Sequence, residues 1–250
     1  MDELQLLIDL HKHAQRQGPG ADAETLRALD LTRLGRTAPL KIADIGCGTG
    51  ASTLILAQHL NAEITAVDFL QEFLDILQNR AASHGLRENI TPLCCSMDNL
   101  PFKKEEYDVI WSEGAIYNIG FAQGIKHWKR YLKTGGILVA SEITWLSSSR
   151  PEEIQQHWDM EYAEIDTASA KFAILEQNGF SPLGYFVLPE YCWLENYYHP
   201  MQSRFGDFLA RHENSEEAHA IVAAEEREID LYVKYNSWYS YGVYIAKKVE

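Results

Sequence analysis

Hydrophobic and polar positions along the 250-residue chain switch between two repeats. Over residues 1–38 the period is helical. Leu4, Leu7, Ile8 and His11 recur at helical spacing, Gly18-Pro19-Gly20 breaks the chain, and Asp22 is placed to cap a helix carrying Leu26, Leu29 and Arg33 on one face. Short apolar runs then alternate with helical stripes. Strands are predicted over Lys41–Ile45, Glu63–Val67, Ile90–Cys94, Tyr107–Trp111 and Ile137–Ser141. Between them lie a helix over Ser52–Leu60 and one carrying Leu70, Phe73, Leu74, Leu77 and Ala81, with Gly85 where a C-cap belongs. A third helix carries Phe121, Ile125, Trp128 and Leu132, and Thr134-Gly135-Gly136 turns it into the fifth strand.

The remainder reads as a helix over Pro151–Ile165, a helix over Ala168–Asn178 closed by Gly179, and a strand over Phe180–Leu188. Met201, Phe205, Phe208 and Leu209 mark another helix. Ser215 caps a longer one through about Tyr235, and Trp238–Ala246 alternates as a last strand. Strands separated by helices need crossover connections, which implies a doubly wound parallel α/β sheet covered on both faces. Ligands of such sheets bind beyond the carboxyl ends of the strands.

The glycine turn after the first strand sits at such an end. It reads Asp44-Ile45-Gly46-Cys47-Gly48-Thr49-Gly50. Alternate glycines allow a tight turn and close approach of a ligand, and the helix that follows offers its N-terminus. Asp68 ends the second strand, where an acidic side chain can take both ribose hydroxyls of a nucleoside. Gly46 to Ala51 also satisfies the dinucleotide pattern G-x-G-x-x-G/A, so a nicotinamide-dependent oxidoreductase is a competing reading.

Composition narrows the classes. Hydrophobic residues make up 46% and charged residues 23%, ordinary for a globular chain. No apolar run approaches the ~20 residues of a membrane span. Met1-Asp2-Glu3 lacks the basic start of a signal peptide, so a cytoplasmic protein is expected. Cys47, Cys94, Cys95 and Cys192 form no C-x-x-C pair, which favours free thiols over disulfides or zinc. His11 and His13 do not share a helix face, and no metal is expected. A formal net charge of −14 argues against a nucleic-acid partner.

The glycine turn with Asp44 two residues before Gly46 resembles the first motif of class I S-adenosylmethionine-dependent methyltransferases, D-x-G-x-G-x-G, with Ser52 in the last place. Cys95-Ser96-Met97-Asp98-Asn99-Leu100-Pro101-Phe102 is similar to the G-D-A-x-x-L-P-F segment of ubiquinone/menaquinone-biosynthesis-type methyltransferases, with Ser96 where that family usually has Asp. Leu132-Lys133-Thr134-Gly135-Gly136 resembles their L-K-P-G-G turn. The stretches Arg16–Gly20 and Trp111–Gly120 resemble a related bacterial group without a settled substrate.

The resemblance covers roughly residues 15–145. It implies a Rossmann-like, mainly parallel seven-stranded sheet with an antiparallel last strand and a helical cap. It also implies S-adenosylmethionine as co-substrate. Asp44 and the turn of Gly46, Cys47, Gly48 and Gly50 would hold the methionine part, Asp68 the ribose, and Ser96 and Met97 the adenine, with Phe69 and Asp98 in the same cofactor-binding set. Arg16 and Gly18 join this cofactor set through the N-terminal stretch.

A single domain over 1–250 is expected. Its N-terminal helices span 1–38, its core 39–145, 169–189 and 238–250, and its cap insertions 146–168 and 190–237. The insertions carry Trp158, Tyr162, Tyr191, Trp193, Tyr197, Tyr198, Phe205 and Phe208. These form either a satellite core or a lid whose aromatic wall encloses a small acceptor, apolar or aromatic. Methyl transfer from a sulfonium is an in-line displacement to which proximity and alignment contribute much. Glu113, just past the fourth strand, is expected to orient the acceptor or take its proton, with Tyr117 beside it. A non-catalytic protein binding the same cofactor is a further alternative. The oligomeric state, a homodimer among the possibilities, is not legible.

Overall fold

The structure is a computed structural model that describes residues 3–249; the acidic start at Met1 and Asp2 lies outside the described residues. Two N-terminal helices, α1 (Glu3–His11) and α2 (Asp22–Thr32), precede the alternating core. That core runs β1 (Leu40–Ile45), α3 (Ala51–His59), β2 (Ala62–Asp68), α4 (Gln71–Ser83), β3 (Ile90–Cys94), β4 (Tyr107–Ser112), α5 (Phe121–Trp128) and β5 (Leu132–Trp145). Next come α6 (Glu152–Glu161), a two-residue β6 (Asp166–Thr167), α7 (Ala168–Gln177) and β7 (Phe180–Val187). A helical excursion of α8 (Glu190–Trp193), α9 (His199–Gln202), α10 (Phe205–Arg211) and α11 (Glu216–Tyr235) leads into β8 (Tyr239–Lys248).

The strands form one sheet in the order β3-β2-β1-β4-β5-β8-β7, with β6 paired to β5. β8 is antiparallel to both its neighbours, and the other pairings are parallel. The seven-stranded expectation holds for the main path, to which β6 adds an eighth, short strand. Successive side chains point to opposite faces, so the buried strands feed two cores. Ile42, Val109, Trp111 and Val139 pack with α3, α4 and the late helices. Ala43, Ile110, Leu138 and Ala140 pack with α5 and α7. From β1 the chain winds outward to β3 and returns to place β4 on the other side of β1. A crevice opens at this reversal of strand order.

Several boundaries differ from expectation. Leu4 is exposed, and the inward face of α1 is Leu6, Ile8 and Leu10. Ala21, not Asp22, holds the cap position of α2, and Asp22 instead accepts a bond from Arg16. The helix from Phe121 stops at Trp128, because Lys129–Tyr131 tightens into a 3-10 turn and Leu132 pairs with Tyr107 as the first residue of β5. The stripe Met201–Leu209 breaks at Ser203-Arg204 into α9 and α10, and a π-helical turn over Leu194–Tyr198 joins α8 to α9. The caps at Ser215, which accepts from Ala218 N, and the positive φ at Gly85 and Gly179 are as expected.

Candidate active site

The crevice holds a cavity of about 510 Å³ at the carboxyl ends of β1, β2 and β4. Gly46 and Gly48 form its floor at φ +76° and +54°. A Cβ on Gly46 would lie 2.2 Å from Ala115 Cβ, which leaves room only for glycine, and one on Gly48 would lie 2.5 Å from Gln17 Oε1, so a side chain there would displace Gln17. Asp68 accepts the backbone N–H of Gly48 at 2.9 Å through Oδ2 and that of Leu70 at 3.0 Å through Oδ1. The carboxylate therefore ties the glycine turn to the start of α4 as well as facing the cavity. Burial raises its pKa above the ordinary range. Phe69, largely exposed, stands beside it on the cavity wall with Ser96, Met97 and Asp98 opposite. Trp128 Nε1 holds that wall by donating to Met97 O at 3.0 Å.

Asp44 occupies a different place from the one its motif suggests. It is fully buried behind the turn and does not line the cavity. Its Oδ2 accepts Ser52 Oγ at 2.9 Å and Thr53 Oγ1 at 2.6 Å, which fixes the first turn of α3. Its Oδ1 is buried without a protein partner, and burial pushes the carboxyl up to about 7. A glycine turn open to the cavity, flanked by Asp68 and backed by a carboxyl whose Oδ1 has no protein partner, suits a nucleoside ligand.

Glu113 and Arg16 line the same cavity but engage each other. Arg16 Nη1 donates to Glu113 Oε2 at 3.0 Å, Thr25 Oγ1 donates to the same oxygen at 3.1 Å, and Trp111 Nε1 donates to Oε1 at 2.9 Å. Arg16 also donates to Asp22 and Thr25. Both oxygens of Glu113 hold donors, and the side chain braces the N-terminal segment against the end of β4. Gly18 and Cys47 line the cavity, and Gly50 supports α3 from beneath, its backbone against Leu77.

Two further residues escape sequence reasoning. Gln17 Oε1 accepts Thr49 N at 2.9 Å, and Arg80 donates to Thr49 O at 2.9 Å and to Gln15 O at 3.1 Å. Both clamp the N-terminal segment over the glycine turn, and their partners lie too far along the chain for any spacing rule to find.

A second cavity of about 520 Å³ adjoins the first. Gln17, Gly18, Pro19, Gly114 and Tyr117 line both. Of the aromatic residues expected in a lid, Trp158, Tyr162, Trp193 and Tyr197 line this cavity. Tyr198, Phe205 and Phe208 are buried in the core instead, and Tyr191 lies outside the cavity and donates to Glu24 at 2.9 Å. Tyr117 stands edge-on to Tyr162, with ring centroids 6.1 Å apart. Among the described residues, no three His, Cys, Asp or Glu side chains converge as a metal site requires.

A doubly wound sheet with an antiparallel penultimate strand, a glycine cradle after β1 and an acidic residue after β2 defines the class I S-adenosylmethionine-dependent methyltransferase fold. Residues 42–136 match the family model described as a methyltransferase domain. The chain is 30% identical over 148 residues to malonyl-[acyl-carrier protein] O-methyltransferase of Pseudescherichia vulneris, an alignment covering 58% of this chain and 52% of that one. It is 36% identical over 112 residues to demethylmenaquinone methyltransferase of Tropheryma whipplei, covering 44% and 45%. The chain thus spans about half the length of these curated relatives. A methyltransferase structure from Geobacter sulfurreducens, solved with S-adenosyl-L-homocysteine, superposes at a TM-score of 0.84 with 17% identity, covering 97% of each chain. These similarities support S-adenosylmethionine as co-substrate.

Proposed function

We propose that the protein transfers a methyl group from S-adenosylmethionine to a small-molecule acceptor that sits in the second cavity and presents an apolar or aromatic surface to its walls. The observation that carries this reading is the shared rim of Gly18, Gly114 and Tyr117, through which the nucleoside cavity opens into an aromatic one. The sulfonium co-substrate supplies an electrophilic methyl carbon. The chain supplies position. Asp68 and the glycine turn hold the nucleoside, and Tyr117 stands where the two ligands meet. The Arg16–Glu113 pair closes the N-terminal segment over the site. Alignment of two reactants in adjoining cavities can lower a barrier by ~7–11 kcal/mol.

In this reading residues 1–250 act as one domain, with 146–168 and 190–237 as the cap over the carboxyl ends of the strands, in a cytoplasmic enzyme. Among the described residues no helix is long and apolar enough to cross a membrane.

The test is a thermal-shift comparison followed by transfer of a labelled methyl group. S-adenosylhomocysteine should stabilise the protein by about 2.7 kcal/mol at a hundredfold excess over its Kd, and NAD should not. Equal or larger stabilisation by NAD overturns the cofactor assignment. Tight binding with no label leaving the cofactor for any acceptor in cell extract would favour a non-catalytic binder.

A further inference from the structure

We propose that the group methylated is an amine that is cationic before it reacts. This inference rests on the methyl-transfer reading and narrows its acceptor. The second cavity is walled by the faces and edges of Tyr117, Trp158, Tyr162, Trp193, Tyr197 and Tyr241. Three carboxylates also line it, Glu161, Glu225 and Glu228, against one guanidinium, Arg227, and the ring of His157. Glu225 is paired with His11, Nε2 to Oε1 at 3.3 Å. Glu228 is held by a phenol rather than a cation: Tyr198 OH donates to its Oε1 at 2.8 Å from behind the cavity wall. Tyr197, stacked on His11 at 6.2 Å between ring centroids, packs tilted against Tyr198 at 5.1 Å.

Aromatic faces and edge carboxylates attract the same kind of ligand. A ring quadrupole draws a cation, and cages of such rings recognise alkylated ammonium groups. A carboxylate or phosphate acceptor would meet an excess of negative charge. A neutral hydrocarbon would displace water from Glu228 and offer it neither charge nor hydrogen bond in return. An ammonium group suits both, and the carboxylates offset the repulsion that this second cation feels beside a sulfonium.

The step balances without a further reagent. The ammonium proton passes to the Glu228 carboxylate. The freed nitrogen lone pair forms the N–C bond, and the electron pair of the broken S–C bond stays on sulfur. The product is a methylated ammonium and S-adenosylhomocysteine. Glu228 is exposed to the open cavity, and partial desolvation there, with the neighbouring Glu225, raises its proton affinity in the direction this role requires.

Calorimetric titration of the protein loaded with S-adenosylhomocysteine tests the charge preference directly. The probes are choline and its neutral carbon isostere, dimethylbutanol, which share a shape and differ in charge. Choline should bind roughly tenfold more tightly or better. Glu228→Gln, which keeps the acceptor for Tyr198, should erase most of that ratio while leaving S-adenosylhomocysteine affinity unchanged. Tyr241→Leu should reduce choline binding with less effect on the alcohol. Equal binding of the two probes, preference for the alcohol, or no binding of choline overturns the amine assignment. Failure of S-adenosylhomocysteine to bind at the start would instead overturn the methyl-transfer reading beneath it.

Discussion

Arg16 Nη1 lies 3.0 Å from Glu113 Oε2, and this pair joins the segment before α2 to the carboxyl end of β4 across a sequence separation of 97 residues. Both side chains are largely shielded, at 10% and 18% exposed. The pair therefore places the N-terminal segment as one wall of the cavity at the end of β4.

Glu113→Gln separates this bracing role from proton transfer. It weakens the charge-assisted bonds from Arg16 and Thr25, so stability should fall by about 1–3 kcal/mol and S-adenosylhomocysteine affinity should fall with it. Thermal melts and calorimetric titration check this. A variant with unaltered affinity and stability but transfer slowed at least about tenfold would make Glu113 a proton acceptor.

Asp68 serves the fold, since its two oxygens accept the Gly48 and Leu70 backbone N–H groups, and it also lines the cavity. Asp68→Ala orphans both donors, so the variant to measure is Asp68→Asn, which retains one acceptor. It should lose about 1.5–3 kcal/mol of S-adenosylhomocysteine binding, roughly ten- to a hundredfold in Kd, with a smaller drop in melting temperature. Unchanged Kd in a folded protein would place the ribose elsewhere.

Asp44 gives the apoprotein a pH dependence with a defined sign. Its carboxyl moves from an ordinary value of 3.8 to about 7 in the fold because burial disfavours the charge. The folded state therefore binds the proton more tightly. The contribution is complete below pH 3.8 and is lost as pH rises toward about 7. Asp44→Asn should flatten the stability–pH slope in that window by up to about 1.4 kcal/mol per pH unit. Urea melts of wild type and variant at several pH values measure it; parallel slopes would show that Asp44 is ionised in the fold.

The buried pair beneath the second cavity should behave as a unit. Lys171 Nζ donates to Glu142 Oε1 at 2.8 Å with both side chains almost fully excluded from water, and to Glu164 O at 2.7 Å. Lys171→Met alone leaves Glu142 charged and unpaired and should cost about 3–5 kcal/mol. The double variant Lys171→Met with Glu142→Leu should recover most of that loss. Denaturant titrations complete the cycle, and additive losses would show that the pair is not coupled.

Short spacings along the chain carry everything about this protein that is legible before it folds. The alternation of strands and helices is visible because period-2 and period-3.6 patterns fit within single elements. The Asp44–Gly50 turn and Asp68 are visible because each lies at the end of a strand, a few residues from the atoms it must place. The end of the helix at Trp128 was not legible, since Leu132 continues the helical stripe and only its pairing with Tyr107 draws it into β5. Periodicity also reports that a face is covered without saying by what. Phe208 and Trp158 sit on equally apolar stripes, yet Phe208 meets packed side chains and Trp158 meets a void. Only the tertiary structure decided that Glu113 faces Arg16 and that His11 reaches Glu225 from 214 residues away. It also decided that Asp44 stands behind the cradle rather than in it. Those contacts depend on how the N-terminal segment and α11 close over the sheet, and no local pattern encodes the distance between two elements that meet only when the chain is folded.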